Sequence, residues 1–288
     1  MTVAVSVNLS DGVVLAVDSA ITLGGPAGVV KVYEHAEKLF RLQNKPIGIA
    51  FYGQATLGAR SVGSYLREFE YTNPGDVLTD GKPIAEVVEA LRQFFMDKYQ
   101  ETVAPTLEQQ TGQPLDQIPL EQRSQLGIVV GGFSHAAYLS EVWNILIPQN
   151  NTPGSAVLSR SQGDSGGNWF AMFEPIFRYT KGYSPNLLND VVSVFVEDRG
   201  VGLTQDEQAR IQEILLRYEY QIPFPAMPMH EGIQYARFLV ELVINHHRFV
   251  IGAPIVGGGV QIGRVTYNVG EFEIIETSPS TQPITRRQ

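Results

Sequence analysis

The sequence contains no cysteine, which excludes disulfide bonds, thiolate catalysis and cysteine-based zinc sites. It also lacks a long hydrophobic run near its start: no basic residue precedes Lys31, and Asn8 and Asp11 interrupt the first apolar stretch. A signal peptide needs a basic region before an apolar one, and a transmembrane helix needs about 20 apolar residues. We therefore expect neither, and we expect a cytoplasmic protein.

Basic residues are outnumbered by acidic ones, and the net charge of the 288 residues is −9. A negatively charged protein is repelled by phosphate backbones and anionic lipids, so we expect no nucleic-acid partner and no membrane partner. Hydrophobic residues make up 43% of the chain, which is usual for a folded domain. The length suits one large domain or two small ones.

No pattern in the sequence indicates a cofactor or a metal. His246 and His247 are adjacent, so on a helix their side chains point about 100° apart and cannot bind one metal ion together. The glycine run Gly257–Gly259 lacks the Gly-Lys-Ser/Thr ending of a phosphate-binding loop. We interpret it instead as a close approach of two backbones at the start of a strand.

The first forty residues combine a strand pattern with three reactive side chains. An alternating run, Val3–Leu9, is followed by a turn and a second apolar run that ends in Asp18, and Lys38 comes later. Thr2 follows Met1 directly, so removal of Met1 would give a threonine whose own α-amine can act as the base for its hydroxyl. Taken singly, Asp18 and Lys38 also fit purely structural roles, as a strand end and a solvated strand residue.

The segment from Thr2 to Asp18 resembles the opening of proteasome β-type subunits, and the spacing between these two residues is the family's own. Glu37–Leu42 resembles the strand that carries the family's catalytic lysine, and Gly48–Ala55 resembles the next strand with the glycine at its end. The resemblance covers about residues 2–70 and reappears at 126–134 and 229–268. It identifies the chain as a suspected bacterial proteasome-like threonine peptidase of the Ntn-hydrolase superfamily.

The resemblance implies a catalytic role for each matching residue. The Thr2 hydroxyl would attack a peptide carbonyl, Lys38 would favour the developing alkoxide, and Asp18 would hold Lys38 in its charged form. The backbone N–H of Gly53 would stabilise the oxyanion. A peptide or unfolded protein would be the substrate, no cofactor would be needed, and the chain would form a homo-oligomeric ring.

Two family positions near the nucleophile's amine are not matched. The family has an aspartate and a serine after its penultimate helix, whereas His247 stands near the aspartate position and residues 248–256 hold neither residue type. A further family serine, in a Gly-Ser-Gly turn, is matched by Gly163–Gly166, so Asp164 or Ser165 is a candidate for that role. Because of these differences, the sequence does not identify the residues that would position the α-amine of Thr2.

The run Gly163–Gly167 also resembles the active-serine loop of trypsin-like proteases. That family continues with proline where this chain has Asn168, and it needs an Ala-Ala-His sequence, which neither His35 nor His135 provides. A match of five residues without the partner residues is weak, so we reject this alternative.

The pattern of the chain indicates sheets covered by helices on their outer faces. The resemblance implies an α+β fold, a four-layer αββα sandwich of two mostly antiparallel sheets of Ntn-hydrolase type. We expect one domain over residues 1–276, with a longer helical excursion at about 178–228, and a polar C-terminal tail at 277–288. Helices are predicted at 56–71, 84–101, 169–179, 204–218 and 230–249, a polar excursion at 103–123, and a turn at 149–154. Thr204 and Glu207 fit a capping box at the start of the fourth helix.

Three functional expectations complete the sequence analysis. Maturation would need only the loss of Met1, because no long propeptide precedes Thr2. In the resembling family the specificity pocket lies around the oxyanion glycine, and here its walls would be formed by Phe51, Tyr52, Gln54, Ala55 and Leu57. With no lysine or arginine among them, we expect apolar residues to be preferred over acidic ones. The alternatives to a peptidase are an Ntn amidase acting on a small amide and a catalytically silent ring or scaffold subunit.

Overall fold

Two five-stranded antiparallel sheets form the centre of the fold. The computed structural model describes residues 2–25, 28–72, 76–79, 81–148, 155–200, 202–251, 255–267 and 270–277. The strands are β1 (Val3–Leu9), β2 (Gly12–Asp18), β3 (Ile21–Gly25), β4 (Gly28–Tyr33), β5 (Leu39–Arg41), β6 (Ile47–Gly53), β7 (Thr56–Leu57), β8 (Arg60–Ser61), β9 (Leu126–Gly132), β10 (Glu141–Ile147), β11 (Ser155–Arg160), β12 (Gly166–Ala171), β13 (Val260–Thr266) and β14 (Glu273–Thr277). The helices are α1 (Val62–Thr72), α2 (Ile84–Thr102), α3 (Ala104–Thr111), α4 (Glu174–Lys181), α5 (Pro185–Arg199), α6 (Gln205–Leu216) and α7 (Met229–Phe249).

The first sheet has the strand order β12–β1–β2–β13–β14, and the second has the order β11–β10–β9–β6–β5. Between the sheets lies a core to which both contribute, with Leu15 and Val265 from the first and Ala50 and Val129 from the second. Helix α7 covers the outer face of the first sheet, and α1 and α2 cover that of the second. The predicted four-layer αββα sandwich is confirmed.

Strand β1 shows how the sequence pattern positions a buried element. Its odd-numbered residues, from Val3 to Leu9, pack under α7, whereas Ala4 faces the second sheet. Every residue of β1 and β2 is buried. A strand covered on both faces needs apolar residues on both, and this explains the nearly continuous apolar run of β2.

Two helix predictions are wrong at their N-terminal ends. Residues Thr56–Ser61 form a small two-stranded ribbon, and the helix begins only at Val62. Gly166–Ala171 is a strand paired with β1, so the predicted helix over 169–179 begins at Glu174 instead. In both cases backbone pairing with a neighbouring strand outweighs the local helical pattern.

Several elements were absent from the prediction. The hairpin β3–β4 and strand β11 were not anticipated, and the predicted polar excursion at 103–123 contains α3, for which no helix was predicted. Helices α5 and α6 lie within the predicted excursion, and the capping box of Thr204 and Glu207 is confirmed. The predicted turn at 149–154 and the tail from residue 278 onwards lie outside the described residues. Among the residues described, no helix is long and apolar enough to cross a membrane.

Candidate active site

Three side chains from distant parts of the sequence meet at one point between the two sheets. Lys38 Nζ lies 2.9 Å from Thr2 Oγ1 and 3.0 Å from Asp18 Oδ1. All three residues are buried, with exposed fractions of 3% for Thr2, 5% for Lys38 and 0% for Asp18. A lysine that contacts both a hydroxyl and a carboxylate in so dry a setting is well placed to influence the hydroxyl's reactivity.

The strand register brings Thr2 and Asp18 together. Strands β1 and β2 form a hairpin in which Ala4 pairs with Val17, so Val3 lies opposite Asp18 and Thr2 directly precedes that pair. The carbonyl of Thr2 accepts a hydrogen bond of 3.1 Å from the Met172 N–H, which fixes the start of β1. Lys38 precedes β5 in the opposite sheet, and its carbonyl accepts a hydrogen bond of 2.9 Å from the Phe51 N–H.

The Asp18 carboxylate accepts hydrogen bonds at both oxygens. Oδ1 accepts from the Val3 N–H at 3.0 Å as well as from Lys38, and Oδ2 accepts from the N–H groups of Ala20 and Gly257, each at 3.3 Å. Burial raises the pKa of Asp18, and the charge of Lys38 and these hydrogen bonds oppose the increase. The carboxylate is therefore held in a fixed orientation by groups that favour its charged form.

Burial also lowers the pKa of Lys38 below the ordinary value for lysine, and the adjacent Asp18 carboxylate opposes this change. A buried ion pair of this kind is stable only when its hydrogen bonds are well formed. The result is a lysine that loses its proton more readily than a solvated one. Such a group can favour a developing alkoxide and can also exchange a proton with it.

Gln261 supports the lysine from the neighbouring sheet and was not found by sequence analysis. Its Oε1 accepts the backbone N–H groups of Lys38 at 2.9 Å and Leu39 at 3.1 Å, while its Nε2 donates to the Ala36 carbonyl at 3.0 Å. The sequence signal that could have identified Gln261 was the presence of a glutamine within the largely apolar strand Val260–Thr266. Its three partners lie more than 220 residues away, so the sequence offered no means of naming them.

The glycine run after α7 packs against the residue that follows Asp18. Ser19 Oγ accepts the Gly259 N–H at 2.7 Å and donates to the Glu34 carbonyl. Gly258 has φ +73°, and a Cβ at this position would collide with the Glu34 carbonyl and with Ser19 Oγ. The predicted close approach of backbones at Gly257–Gly259 is present. It allows the Gly257 N–H to donate its hydrogen bond to Asp18.

A cavity of about 240 Å³ opens beside Thr2 and Lys38, and Gly53 lies on its wall. Gly53 has φ +80°, and a Cβ there would overlap the Gln125 carbonyl, so the backbone requires glycine for its own packing. The other lining residues include four of the expected five: Phe51, Tyr52, Gln54 and Ala55.

The fifth expected wall residue, Leu57, does not line the cavity, because it is fully buried in the core under α1 and α2. A basic residue outside the five expected ones also lines the cavity. Arg67, from α1, is on the wall and forms an ion pair of 3.5 Å with Glu37. Both side chains are largely exposed, at 72% and 57%, so the pair is a weak, solvated one.

Asp164 and Ser165 do not belong to this site, contrary to the sequence-based expectation. Strand β12 runs antiparallel to β1 with Gly166 opposite Asn8, so the turn before β12 lies at the far end of β1. The Asn8 side chain donates to the Asp164 carbonyl at 2.9 Å. Six strand residues separate that end from Thr2, roughly 20 Å. The residues that approach the start of β1 are instead those at the end of β12 and just after it.

The end of β12 contributes backbone rather than a reactive side chain. Ala171 lies opposite Val3 with φ +63°, a conformation that few residues other than glycine adopt, and Met172 donates its N–H to Thr2. Within the described part of the chain, no group of three or more His, Asp or Glu side chains is arranged to hold a metal ion.

Comparisons with known proteins give similarity only at the level of structure, since no protein-family model and no curated protein matches the sequence. One similar solved structure is Anbu (ancestral beta-subunit) from Yersinia bercovieri, with 11% identity and a TM-score of 0.50 over 95% of this chain and 86% of that chain. A Gly-1 mutant of Anbu from Hyphomicrobium sp. strain MC1 has 11% identity and a TM-score of 0.49 over 97% and 89%.

These findings correct the identification made from the sequence. The chain is not shown to be a proteasome β-type subunit or a bacterial proteasome-like threonine peptidase, because the similar structures are Anbu proteins, which are proteasome-like but distinct. An identity of 11% supports a similarity of fold alone. The chain therefore shares a proteasome-like fold with these structures, at a distant level of similarity.

Proposed function

We propose that the protein is an amide hydrolase that cleaves peptide bonds with Thr2 as an N-terminal nucleophile. The observation that carries the proposal is the contact of Lys38 Nζ with both Thr2 Oγ1 and Asp18 Oδ1 in a buried site. A structural ion pair needs no hydroxyl at this place and no cavity beside it. Here the hydroxyl and the cavity are both present, and the hydroxyl belongs to the residue that loss of Met1 would make N-terminal.

The proposed reaction begins when Thr2 Oγ attacks the substrate carbonyl and its proton passes to the free α-amine, whose ordinary pKa is about 8. The charge of Lys38 favours the alkoxide, and the Gly53 N–H donates to the oxyanion of the tetrahedral intermediate. Collapse breaks the C–N bond, and the leaving amine takes the proton from the α-amine. Water then attacks the Thr2 ester with the same amine as base, which releases the acid and restores the hydroxyl.

We propose that the substrate is a peptide or an unfolded protein and that the chain works as a homo-oligomeric ring. A cavity of about 240 Å³ suits a single side chain of an extended substrate whose backbone passes Thr2. The structure with TM-score 0.50 is named as a beta-subunit, and this supports assembly into an oligomer.

The small cavity also favours a second candidate, an Ntn amidase acting on a small amide, because a compact substrate could be held entirely within it. The two functions differ in their dependence on substrate length. A peptidase gains kcat/KM when an amide is extended by flanking residues, whereas an amidase specific for a small molecule loses it. A scaffold subunit without activity would remain a third outcome if Met1 were retained.

The test of the proposed function is the intact mass of the purified protein before and after treatment with a peptide β-lactone. We expect a chain that begins at Thr2 and gains one acyl adduct, which peptide mapping places on Thr2. Thr2→Ala should keep its fold and oligomeric state while losing both the adduct and the turnover of fluorogenic peptides. Full peptidase activity of Thr2→Ala would contradict the proposal.

A further inference from the structure

One ring nitrogen of His247, near the proposed active site, has no hydrogen-bond partner among the described residues. His247 lies on α7 four residues after Val243, so the two side chains project from the same face of the helix. That face packs on β1 and β2, where Val243 and Val240 share a core with Val3. His247 is half-buried, and its Nε2 is fully shielded from solvent without a hydrogen-bond partner among the described residues.

An unpaired polar atom inside a protein is costly, so His247 Nε2 calls for an explanation. Near the start of α7, a Cβ on Gly232 would collide with the Leu9 side chain at the far end of β1, and the helix packs along the strand toward Val3, so α7 runs antiparallel to β1. The last turn of α7, which holds His247, therefore lies over the start of β1. The Asp18 carboxylate accepts the Val3 N–H at this same end of the strand.

We propose that His247 is a positioning residue for the α-amine of Thr2, accepting one N–H of that amine at Nε2 after Met1 has been removed. The inference rests on the proposed function and adds the group that orients the base. An α-amine that donates one N–H in a fixed direction points its lone pair in another, here toward the Thr2 hydroxyl. A histidine can act as the acceptor without adding a negative charge to the site.

The protonation state of His247 agrees with this role. Burial lowers the pKa of His247, the charges of His246 and of the amino terminus lower it further, and Asp18 partly opposes them. Near neutral pH the imidazole is then uncharged, and one ring nitrogen has a free lone pair. A protonated imidazole would repel the ammonium that forms during catalysis, so activity should be lost when acid charges His247.

The first experiment compares His247→Phe, which keeps a ring but has no acceptor, with His247→Asn, which restores one, and with His246→Phe as the matched control. We expect kcat for a fluorogenic peptide to fall at least tenfold in His247→Phe with KM within twofold, to recover substantially in His247→Asn, and to be nearly unchanged in His246→Phe. Equal activity of His247→Phe and His246→Phe would overturn the inference.

The second experiment measures the pKa of the Thr2 α-amine without turnover, from the pH dependence of its acetylation by limiting acetic anhydride, read by peptide mass. His247→Asp should raise this pKa by about one unit because a carboxylate near the amine favours the ammonium, whereas His246→Asp should leave it unchanged. A residue that only fills space would not shift the amine in this way. If the pKa of the Thr2 α-amine is the same in both variants, the role of His247 is contradicted but the proposed function is not. Full activity of Thr2→Ala would contradict both.

Discussion

At the scale of single residues, the site depends on a lysine whose charge is maintained by one carboxylate. Lys38→Met removes the cation beside Thr2, and we expect the acylation rate to fall on the order of a hundredfold or more, as when an oxyanion donor is lost. The measurement is the rate of adduct formation with the peptide β-lactone. Lys38→Arg should not restore the rate, because a planar guanidinium cannot take the place of a compact ammonium.

A double variant separates chemistry from stability in the same pair. Lys38→Met leaves Asp18 buried and unpaired, which costs about 3–5 kcal/mol of unfolding free energy where such pairs have been broken. Adding Asp18→Asn removes the uncompensated charge but places an amide NH2 against backbone N–H groups, so the double variant should regain part of the lost stability in urea unfolding but not activity. If Lys38→Met kept wild-type activity, Lys38 would have no role in the chemistry.

The lowered pKa of Lys38 predicts where activity declines at high pH. The proposed mechanism needs the charged ammonium, which is present below the pKa of Lys38 and is lost as the pH rises through it. Because burial lowers that pKa, the alkaline limb of the kcat profile should lie below 10.5, the ordinary value for lysine. A profile that stays flat to pH 10.5 would show that Lys38 does not need its proton for turnover.

The cavity beside Thr2 gives a prediction about substrate preference. Arg67 is shared with Glu37, so an acidic substrate side chain has to compete with that carboxylate, and apolar residues should be preferred on the carbonyl side of the cut. Glu37→Gln frees Arg67 and should raise kcat/KM for acidic residues by up to about fivefold, the range of a solvated ion pair. Arg67→Gln is the matched control and should not raise kcat/KM for acidic residues. A peptide library in which the wild type prefers acidic residues would contradict this assignment.

At the scale of secondary-structure elements, the position of Lys38 depends on a hydrogen bond between the two sheets. Gln261→Leu has a similar volume but leaves the N–H groups of Lys38 and Leu39 without an acceptor, at a cost of about 1–3 kcal/mol each if they stay buried. We expect lower stability in urea and a slower acylation rate, because β5 is no longer held beside Thr2. Unchanged acylation by Gln261→Leu would mean that Phe51 alone positions the lysine.

The elements also show what the sequence could and could not predict. The hairpin of β1 and β2 brings Asp18 to the start of β1 through local pairing, and the resemblance of this segment to proteasome β-type subunits indicated both Thr2 and Asp18. Asp164 and Ser165 were misplaced because the direction of β12 depends on its pairing with β1, more than 150 residues away in sequence. Gln261 and Arg67 were missed for the same reason. Their partners come from other elements, and no local pattern identifies them.

At the scale of the whole molecule, apolar patterns in the sequence predicted sheets covered by helices, and the family resemblance supplied their arrangement in four layers. Buried strands such as β9 are continuous in hydrophobicity, and α2 and α7 have clear helical periodicity. The apolar side chains of α5 behave differently. Val194 and Leu187 are at least half exposed, so this helix buries little of its apolar face against its own chain, and the sequence pattern there said less about the structure.

This exposed face of α5 leads to a prediction about assembly. If the chain forms the proposed homo-oligomer, Leu187→Glu and Val194→Glu should weaken it when α5 lies between subunits, since burying an unpaired carboxylate is unfavourable. Val30→Glu, at an exposed position on β4, is the matched control on a different element. Sedimentation velocity gives the oligomeric state of each variant. If the oligomer survives both α5 substitutions, the subunit contacts lie elsewhere. If the wild-type protein is a monomer, the proposed ring is wrong, and the β-lactone adduct on Thr2 still tests the proposed chemistry.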